Sequence, residues 1–284
     1  MSTPIILISG AAGSGKDTVA NFIAKYSGSV CIAQADPMKR FAKTVFGFTE
    51  DQLWGPSESR NAPDPRFDDS ETWERATRKI VDFGQIWICD VLPDLDGIGV
   101  TAARSALHDW FTTARRERGG QGRPPLTPRY VLQTLGTEWG RHFNPSMWND
   151  YAVRSARTLL GGGYGYDKAE GLFKTDAVAT GLSGDAEFVI ITDGRFRNEL
   201  MGIKAVGGSC IKVQNPTPAD NAVERAGVAG HRSESEQKQI PDSYYDFIVT
   251  NDKKQGLLAL ENLAAKLVQN LRGKPVALST GFVP

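Results

Sequence analysis

Near the amino terminus the chain reads Gly10-Ala-Ala-Gly13-Ser14-Gly15-Lys16-Asp17-Thr18. The spacing Gly10-x4-Gly15-Lys16 is that of a phosphate-binding loop. Glycines open backbone conformations closed to other residues, so successive N–H groups can turn inward around an anion. A helix starting at this point adds its positive end. Lys16 supplies a mobile charge for the outer phosphates. The position after the lysine, where a Ser or Thr commonly meets magnesium, holds Asp17, and the hydroxyl comes one residue later at Thr18. The chemistry predicted is nucleoside-triphosphate binding. The structural alternative is a glycine-rich turn carrying a surface lysine.

A second polar constellation closes another apolar run. Glu187 to Thr192 (EFVIIT) reads as a strand and leads into Asp193-Gly-Arg195-Phe-Arg197-Asn198-Glu199. An acidic residue ending such a strand, downstream of a phosphate loop, suits the holding of magnesium directly or through water. Arg195 and Arg197 follow, where a phosphate could be clamped bidentately. The alternative is Asp193 as a helix cap beside surface arginines. Further arginines fall at loops and helix faces: Arg60, Arg129, Arg141, Arg225 and Arg232. Such a set suits a protein that must bring two polyanions together.

Several elements must position these groups. Ile5 to Ile8 is a buried strand entering the loop, and residues 17–26 form the first helix, stopped by Ser27-Gly28. Val30 to Ala35 is a second strand. Asp36-Pro37 then opens a helix to Val45, leaving Asp36 and Lys39 near a strand's carboxyl end, where open α/β sheets place ligands. Thr127-Pro128 starts a helix that continues to Arg141. At ~100° per residue, Val131, Leu132, Leu135 and Trp139 share an apolar face, and Arg129, Gln133, Gly136 and Gly140 fall opposite. Two helical glycines cost about 1 kcal/mol each against alanine, so close approach of a ligand or another backbone is predicted there. Tight helix packing is the alternative.

The remaining stretches complete the architecture. Residues 46–69 are turn-rich, 70–89 carry a helical pattern, and 101–118 an amphipathic helix whose basic end complements its dipole. Residues 148–160 and 198–206 are helical, 209–214 and 247–250 strands, and 256–271 a last amphipathic helix. Residues 161–186 read as an irregular glycine-rich loop, and Ser233-x-x-Glu236 as a capping box. The recurring strand–helix order predicts an α/β, three-layer P-loop fold with a parallel sheet flanked by helices. One domain is expected over 1–272, with insertions at about 90–125 and 161–186 and a flexible tail over 273–284.

Composition narrows the function. In 284 residues, 33 Lys+Arg balance 33 Asp+Glu, so no global field favours polynucleotides or membranes. No stable nucleic-acid binding and no membrane association are expected. Guanine-reading NKxD is absent, which argues against a switch GTPase, and a short neutral chain argues against a helicase or packaging motor. Cys31, Cys89 and Cys210 are scattered, with no zinc spacing, and Cys31 and Cys210 sit in apolar runs as small hydrophobes. A reduced, cytoplasmic setting is expected, since no signal peptide or membrane span is visible.

Taken in order, GSGKDT, ADPMKRFA, PRYVLQTLGTEWGR, ITDGRFRNE and HRSE resemble the deoxynucleoside monophosphate kinases of tailed bacteriophages. The blocks run from residue 5 to about 250, and that family carries GKDT, so Asp17 becomes part of the pattern. The resemblance implies an adenylate-kinase-like fold. It also implies magnesium- and ATP-dependent phosphorylation of a deoxynucleoside 5′-monophosphate to the diphosphate, supplying phage DNA precursors in the host cytoplasm. Carried over by position, Gly10, Gly13, Ser14, Gly15, Lys16, Asp17 and Thr18 would bind ATP, with Thr18, Asp17 and Asp193 as candidate metal ligands. Asp36 and Lys39 would lie beside the acceptor, with Arg60 among its phosphate arginines, and Arg129, Gln133, Thr137, Glu138 and Arg141 would wall its pocket. Lys16, Arg195 and Asp193 would serve the transferring group. Arg225, Arg232 and the block His231-x-Ser233-Glu234 would belong to a lid-like segment at about 215–235. The base accepted and the oligomeric state stay open, a homodimer being one option. A phosphomevalonate- or dephospho-CoA-type kinase is the nearest alternative, and a DNA-associated P-loop ATPase a more distant one.

Overall fold

The computed structural model describes residues 4–11, 13–120, 122–175, 186–216, 236–237, 239–273 and 282–283. The segment expected as a lid lies outside these from residue 217, so Arg225, His231, Arg232, Ser233 and Glu234 do too. Strands in chain order are β1 (Ile5–Ser9), β2 (Val30–Ile32), β3 (Tyr164–Asp167), β4 (Gly171–Lys174), β5 (Val189–Gly194), β6 (Ser209–Gln214), β7 (Phe247–Thr250) and β8 (Phe282–Val283). Helices are α1 (Lys16–Ser27), α2 (Asp36–Phe46), α3 (Glu50–Trp54), α4 (Ser57–Asn61), α5 (Ser70–Val91), α6 (Gly97–Arg118), α7 (Pro128–Thr134), α8 (Met147–Leu160), α9 (Arg197–Ala205) and α10 (Gly256–Leu271). The chain divides into two compact units. One comprises Met1–Gln34, Ala152–Lys168 and Leu172–Pro284, the other Ala35–Tyr151 and Ala169–Gly171.

The first unit is the expected α/β layer structure. Its sheet runs β2-β5-β1-β6-β7-β8, parallel from β2 through β7, with β8 antiparallel at the edge. A parallel strand covered on both faces must be apolar throughout, and β1 is buried at every position. Ile6 and Ile8 join Val19, Ala20 and Ile23 of α1 and Leu260, Ala264, Leu267 and Val268 of α10 in one cluster. Ile5 and Leu7 join Ala152, Val153, Ala156 and Leu159 of α8 and Leu200 and Ile203 of α9 in another. This period-two alternation makes the strand the centre of three layers, the arrangement of P-loop kinases. Part of the stretch expected as irregular loop is instead the β3–β4 hairpin. Tyr164, Tyr166 and Leu172 pack on the second cluster, and Gly162, Gly163 and Gly171 take positive φ where the chain turns. Those glycines mark turns and not a lack of structure.

The second unit is helical and rich in indole. All six tryptophans lie in it, and each indole N–H has an acceptor. Trp54 donates to Asp36 Oδ1, Trp73 to the Phe67 carbonyl, Trp87 to that of Pro37, and Trp110 to Thr134 Oγ1. Trp139 donates to the Ala103 carbonyl and Trp148 to that of Gly136. A buried indole needs such a partner, so these rings fix direction as well as volume. Residues 97–118, expected largely as insertion, supply Ala103, Leu107, Trp110 and Phe111 to this core.

The helix from Pro128 departs from expectation halfway. Thr127 Oγ1 accepts the Tyr130 N–H and Pro128 occupies the first turn, as predicted. From Leu135 to Arg141, however, the helix is of the wider π type, so a wheel at ~100° per residue fails there. Gly136 and Gly140 do not join Arg129 and Gln133 on an open face; both are buried. A Cβ at Gly136 would meet Met38 Sδ at 2.9 Å, and one at Gly140 would enter the Trp148 ring, 2.7 Å from Cε2. Tight packing, not ligand approach, accounts for both glycines. Alanine at an open helical site gains about 1 kcal/mol over glycine, whereas overpacking costs about 1–3 kcal/mol. Gly140→Ala should therefore destabilise the protein in denaturant unfolding; a more stable variant would restore the open-face reading.

No helix among the described residues is long and apolar enough to cross a membrane. All three cysteines are unpaired. Burial pushes the Cys31 thiol up to about 11 and that of Cys210 up to about 12, as expected of structural hydrophobes.

Candidate functional site

β1 runs between β5 and β6 and releases the chain at Gly10, at the carboxyl edge where parallel sheets hold ligands. Gly10 can be nothing larger: a Cβ would lie 2.5 Å from both Ser14 Oγ and the Val213 carbonyl. Gly13 and Gly15 adopt φ of 75° and 89°, which other residues rarely reach. Gly15 is the cap of α1 and makes no side-chain cap bond to the first amides of that helix. Unpaired amides at a helix start form an anion site. Ser14 is buried, and its hydroxyl has no hydrogen-bond partner among the described residues. A buried hydroxyl without a partner needs an explanation, and an incoming phosphate oxygen supplies one.

Lys16 Nζ rests on Asp17, 2.8 Å from Oδ2, with Asp17 72% exposed. Exposed pairs contribute roughly 0–1 kcal/mol, and a hydrogen bond to a charged group about 1.5–3 kcal/mol. A phosphate can therefore draw the ammonium away from Asp17. The loop opens on a cleft of about 410 Å³, within the ~300–1,000 Å³ usual for small ligands. It is lined by Gly13, Gly15, Lys16, Asp17 and Thr18 and by Asn251, Lys253, Gly256, Leu257 and Leu260. That second wall was not anticipated, although the ends of β7 and α10 were. Leu257 and Leu260 give the cleft an apolar patch beside the polar loop residues, and Lys16 and Lys253 give it two cations.

Asp193 sits on a β-bulge. Leu7 pairs with Ile191 but Ser9 with Gly194, so β5 gains a residue over Thr192–Asp193. Bulges re-aim side chains. Here Asp193 Oδ1 accepts the Gln34 N–H at 2.8 Å. Gly194 permits the bulge, since a Cβ would lie 2.8 Å from Leu7 Cγ. Gln237 Nε2 spans it, donating to Ser9 Oγ at 2.9 Å and to the Gly194 carbonyl at 3.2 Å. The capping role considered for Asp193 belongs to Glu199, whose buried carboxylate accepts the N–H groups of Arg195 (2.6 Å) and Phe196 (3.0 Å). Arg195 is exposed, and Arg197 lies over the Tyr244 ring, 4.6 Å from its centroid, and bonds its hydroxyl.

Thr18, Asp17 and Asp193 offer a hydroxyl and carboxylates, and no cluster of three His, Cys, Asp or Glu suited to a metal occurs among the described residues. Magnesium needs only one or two carboxylates besides substrate phosphates and waters; Asp17 and Thr18 line the cleft, and Asp193 is not among its lining residues.

In the second unit, Asp36 is 3% exposed and accepts the Trp54 indole N–H at 2.9 Å. Lys39 Nζ lies 3.6 Å from the same carboxylate and 5.5 Å from the Trp54 centroid. The three form one charged, aromatic group, and Trp54 is the member sequence reasoning left without a role. Arg60 ties its own turn together through the Gly55 carbonyl (2.7 Å) and Ser57 Oγ (3.4 Å). Along the 128–141 helix, Arg129 and Gln133 are half-buried and the Thr137 hydroxyl donates to the Gln133 carbonyl. Partial burial, then Glu117, raise the Glu138 carboxyl above its usual range. Arg141 Nη1 donates to the Pro145 carbonyl at 3.2 Å.

Fold and loop together define a P-loop kinase architecture. No protein-family model matches the chain. It is similar to a protein of Acanthamoeba polyphaga mimivirus named "Putative deoxynucleotide monophosphate kinase", at 23% identity over 253 residues, 88% of this chain and 89% of that one. The likeness supports a nucleotide kinase.

Removing Glu199 would strand two N–H groups at the start of α9. Glu199→Ala should cost about 1–3 kcal/mol, the range for leaving a buried donor unpaired, in denaturant unfolding; an unchanged midpoint would refute the capping role.

Proposed function

We propose that this chain transfers the terminal phosphoryl group of ATP to the phosphate of a deoxynucleoside 5′-monophosphate, yielding the diphosphate and ADP. The carrying observation is the cleft in which the glycine loop, Lys16 and an apolar wall of Leu257 and Leu260 meet. It suits a phosphate chain at one end and a base at the other. The acceptor half rests on the sequence blocks resembling phage deoxynucleoside monophosphate kinases and on the name of the mimivirus protein.

The acceptor phosphate oxygen is already a nucleophile, so no general base is needed. The loop amides and Lys16 would neutralise charge that grows on the donor phosphates, and Arg195 would add to this. Magnesium, which supplies charge neutralisation across the donor phosphates when bound, would be held by Thr18, Asp17 and Asp193. Lys39, Arg60, Arg129 and Arg141 would orient the acceptor, with Asp36 fixing Lys39. Gln133, Thr137 and Glu138 would line the acceptor base and sugar. Arg225 and Arg232 would serve the ATP side.

ADP release should be measured with each natural and hydroxymethylated deoxynucleoside monophosphate, alongside phosphomevalonate. Turnover with a monophosphate is expected. ATP hydrolysis stimulated by DNA, without monophosphate turnover, would sink the proposal. Lys16→Ala should lower kcat about 10²–10³-fold, the usual effect of losing one oriented donor to the transition state, with unchanged unfolding. Arg129→Ala should raise the acceptor KM about tenfold or more, the size of a hydrogen bond to a charged group. An effect on the ATP constant alone would contradict its place on the acceptor side.

A further inference from the structure

We propose that Asn251 is a positioning residue of the phosphate loop, holding the Ser14–Gly15 peptide in the orientation that presents an N–H to an anion. The inference deepens the donor-site reading and rests on it.

Asn251 follows β7 directly and is 8% exposed. Its backbone N–H donates to the Gln214 carbonyl at 2.8 Å, which fixes it against the end of β6. Its side-chain Nδ2 donates to the Ser14 carbonyl at 2.9 Å. The amide orientation is settled by chemistry, because a carbonyl oxygen can only accept. The same side chain fills the place of a Gly15 side chain: a Cβ there would fall on Nδ2, with Cγ at 3.3 Å.

A trans peptide is a rigid plane with C=O and N–H pointing opposite ways. Holding the Ser14 carbonyl therefore also fixes the direction of the Gly15 N–H. Without that hold, the plane would flip easily, since Gly15 is free in φ on one side of it. A flipped plane would turn a carbonyl dipole, and not an N–H, toward a phosphate. Asn251 also lines the cleft beside Lys16 and Lys253, so the hold comes from the wall that meets the rest of the ligand.

Two variants separate the hydrogen bond from simple space filling. Asn251→Leu keeps the volume and loses the donor; Asn251→Ala loses both and demands no extra room. MgATP affinity should be measured by equilibrium titration, acceptor monophosphate affinity separately, and amide hydrogen exchange over residues 13–18 in the nucleotide-free protein. Both variants should bind MgATP on the order of tenfold more weakly, the scale of one hydrogen bond. Loop exchange should be faster, with acceptor affinity little changed. Asn251→Leu matching wild type while Asn251→Ala weakens would show space filling and overturn the proposal, as would loop exchange unaltered by either substitution. Failure of the wild-type protein to bind MgATP would instead remove the donor-site reading, and exchange alone would then judge the hold.

Discussion

A parallel strand buried on both faces must end somewhere, and β1 ends in a turn that can carry almost no side-chain volume. The space at Gly10 is shared by the Val213 carbonyl and the Ser14 hydroxyl, and the space at Gly15 by Asn251. At the neighbouring strand Gly194 makes room for Leu7, and the bulge it allows turns Asp193 onto the Gln34 N–H. Two strands, β1 and β5, thus end at a missing side chain, and the ends of β6 and β7 meet the loop through the Val213 carbonyl and Asn251. Substituting Gly10 or Gly15 would push on backbone, or on a side chain already hydrogen-bonded to backbone, and substituting Gly194 on the buried Leu7 side chain; packed interiors yield little to such pressure.

This economy explains which parts of the first unit were legible in the sequence. β6, β7 and α10 fall where period and punctuation place them, because an apolar strand between glycines and an amphipathic helix after one have few other readings. The loop was legible because its chemistry lies in consecutive residues. The opposite wall of the cleft was not. Asn251 to Leu260 carry no contiguous motif, and their place beside Gly15 arises from the pairing of β6 with β7 and the packing of α1 on α10. Only the rule that ligands gather at carboxyl ends of parallel strands pointed to Asn251. The hairpin at 164–174 was missed for the opposite reason. Its glycines were counted as absence of structure, while the alternation of Tyr164 and Tyr166 was the signal.

In the second unit the failure was one of geometry. The residues 128–141 were correctly read as helix, and their start was legible in Thr127-Pro128. Nothing local in LGTEWGR announces a π-helix; the widening accompanies the bond from Trp148 to the Gly136 carbonyl and the seating of that ring on Gly140. π segments occur often at functional sites. This one leaves Glu138 exposed beside Glu117 while burying both glycines. The proposed acceptor wall thus consists of Arg129, Gln133, Thr137, Glu138 and Arg141, with the two glycines packed away from it.

Charge sets the remaining limit. With equal numbers of acidic and basic residues and a screening length of about 8 Å at physiological salt, the net charge supplies no field that would gather a polyanion from a distance. Recognition has to occur within hydrogen-bond range, where a peptide plane turned the wrong way replaces attraction by repulsion. Lys16 adds little selectivity by charge alone, since it is balanced by Asp17 next to it. What distinguishes the loop from any glycine turn beside a lysine is the fixed direction of its backbone dipoles. The Asn251 amide, which carries no charge, holds the Ser14 carbonyl, while the Val213 carbonyl and the Ser14 hydroxyl occupy the space beside Gly10. On the proposed donor-site reading, a neutral group at the end of β7 would then set how an anion is met at the end of β1.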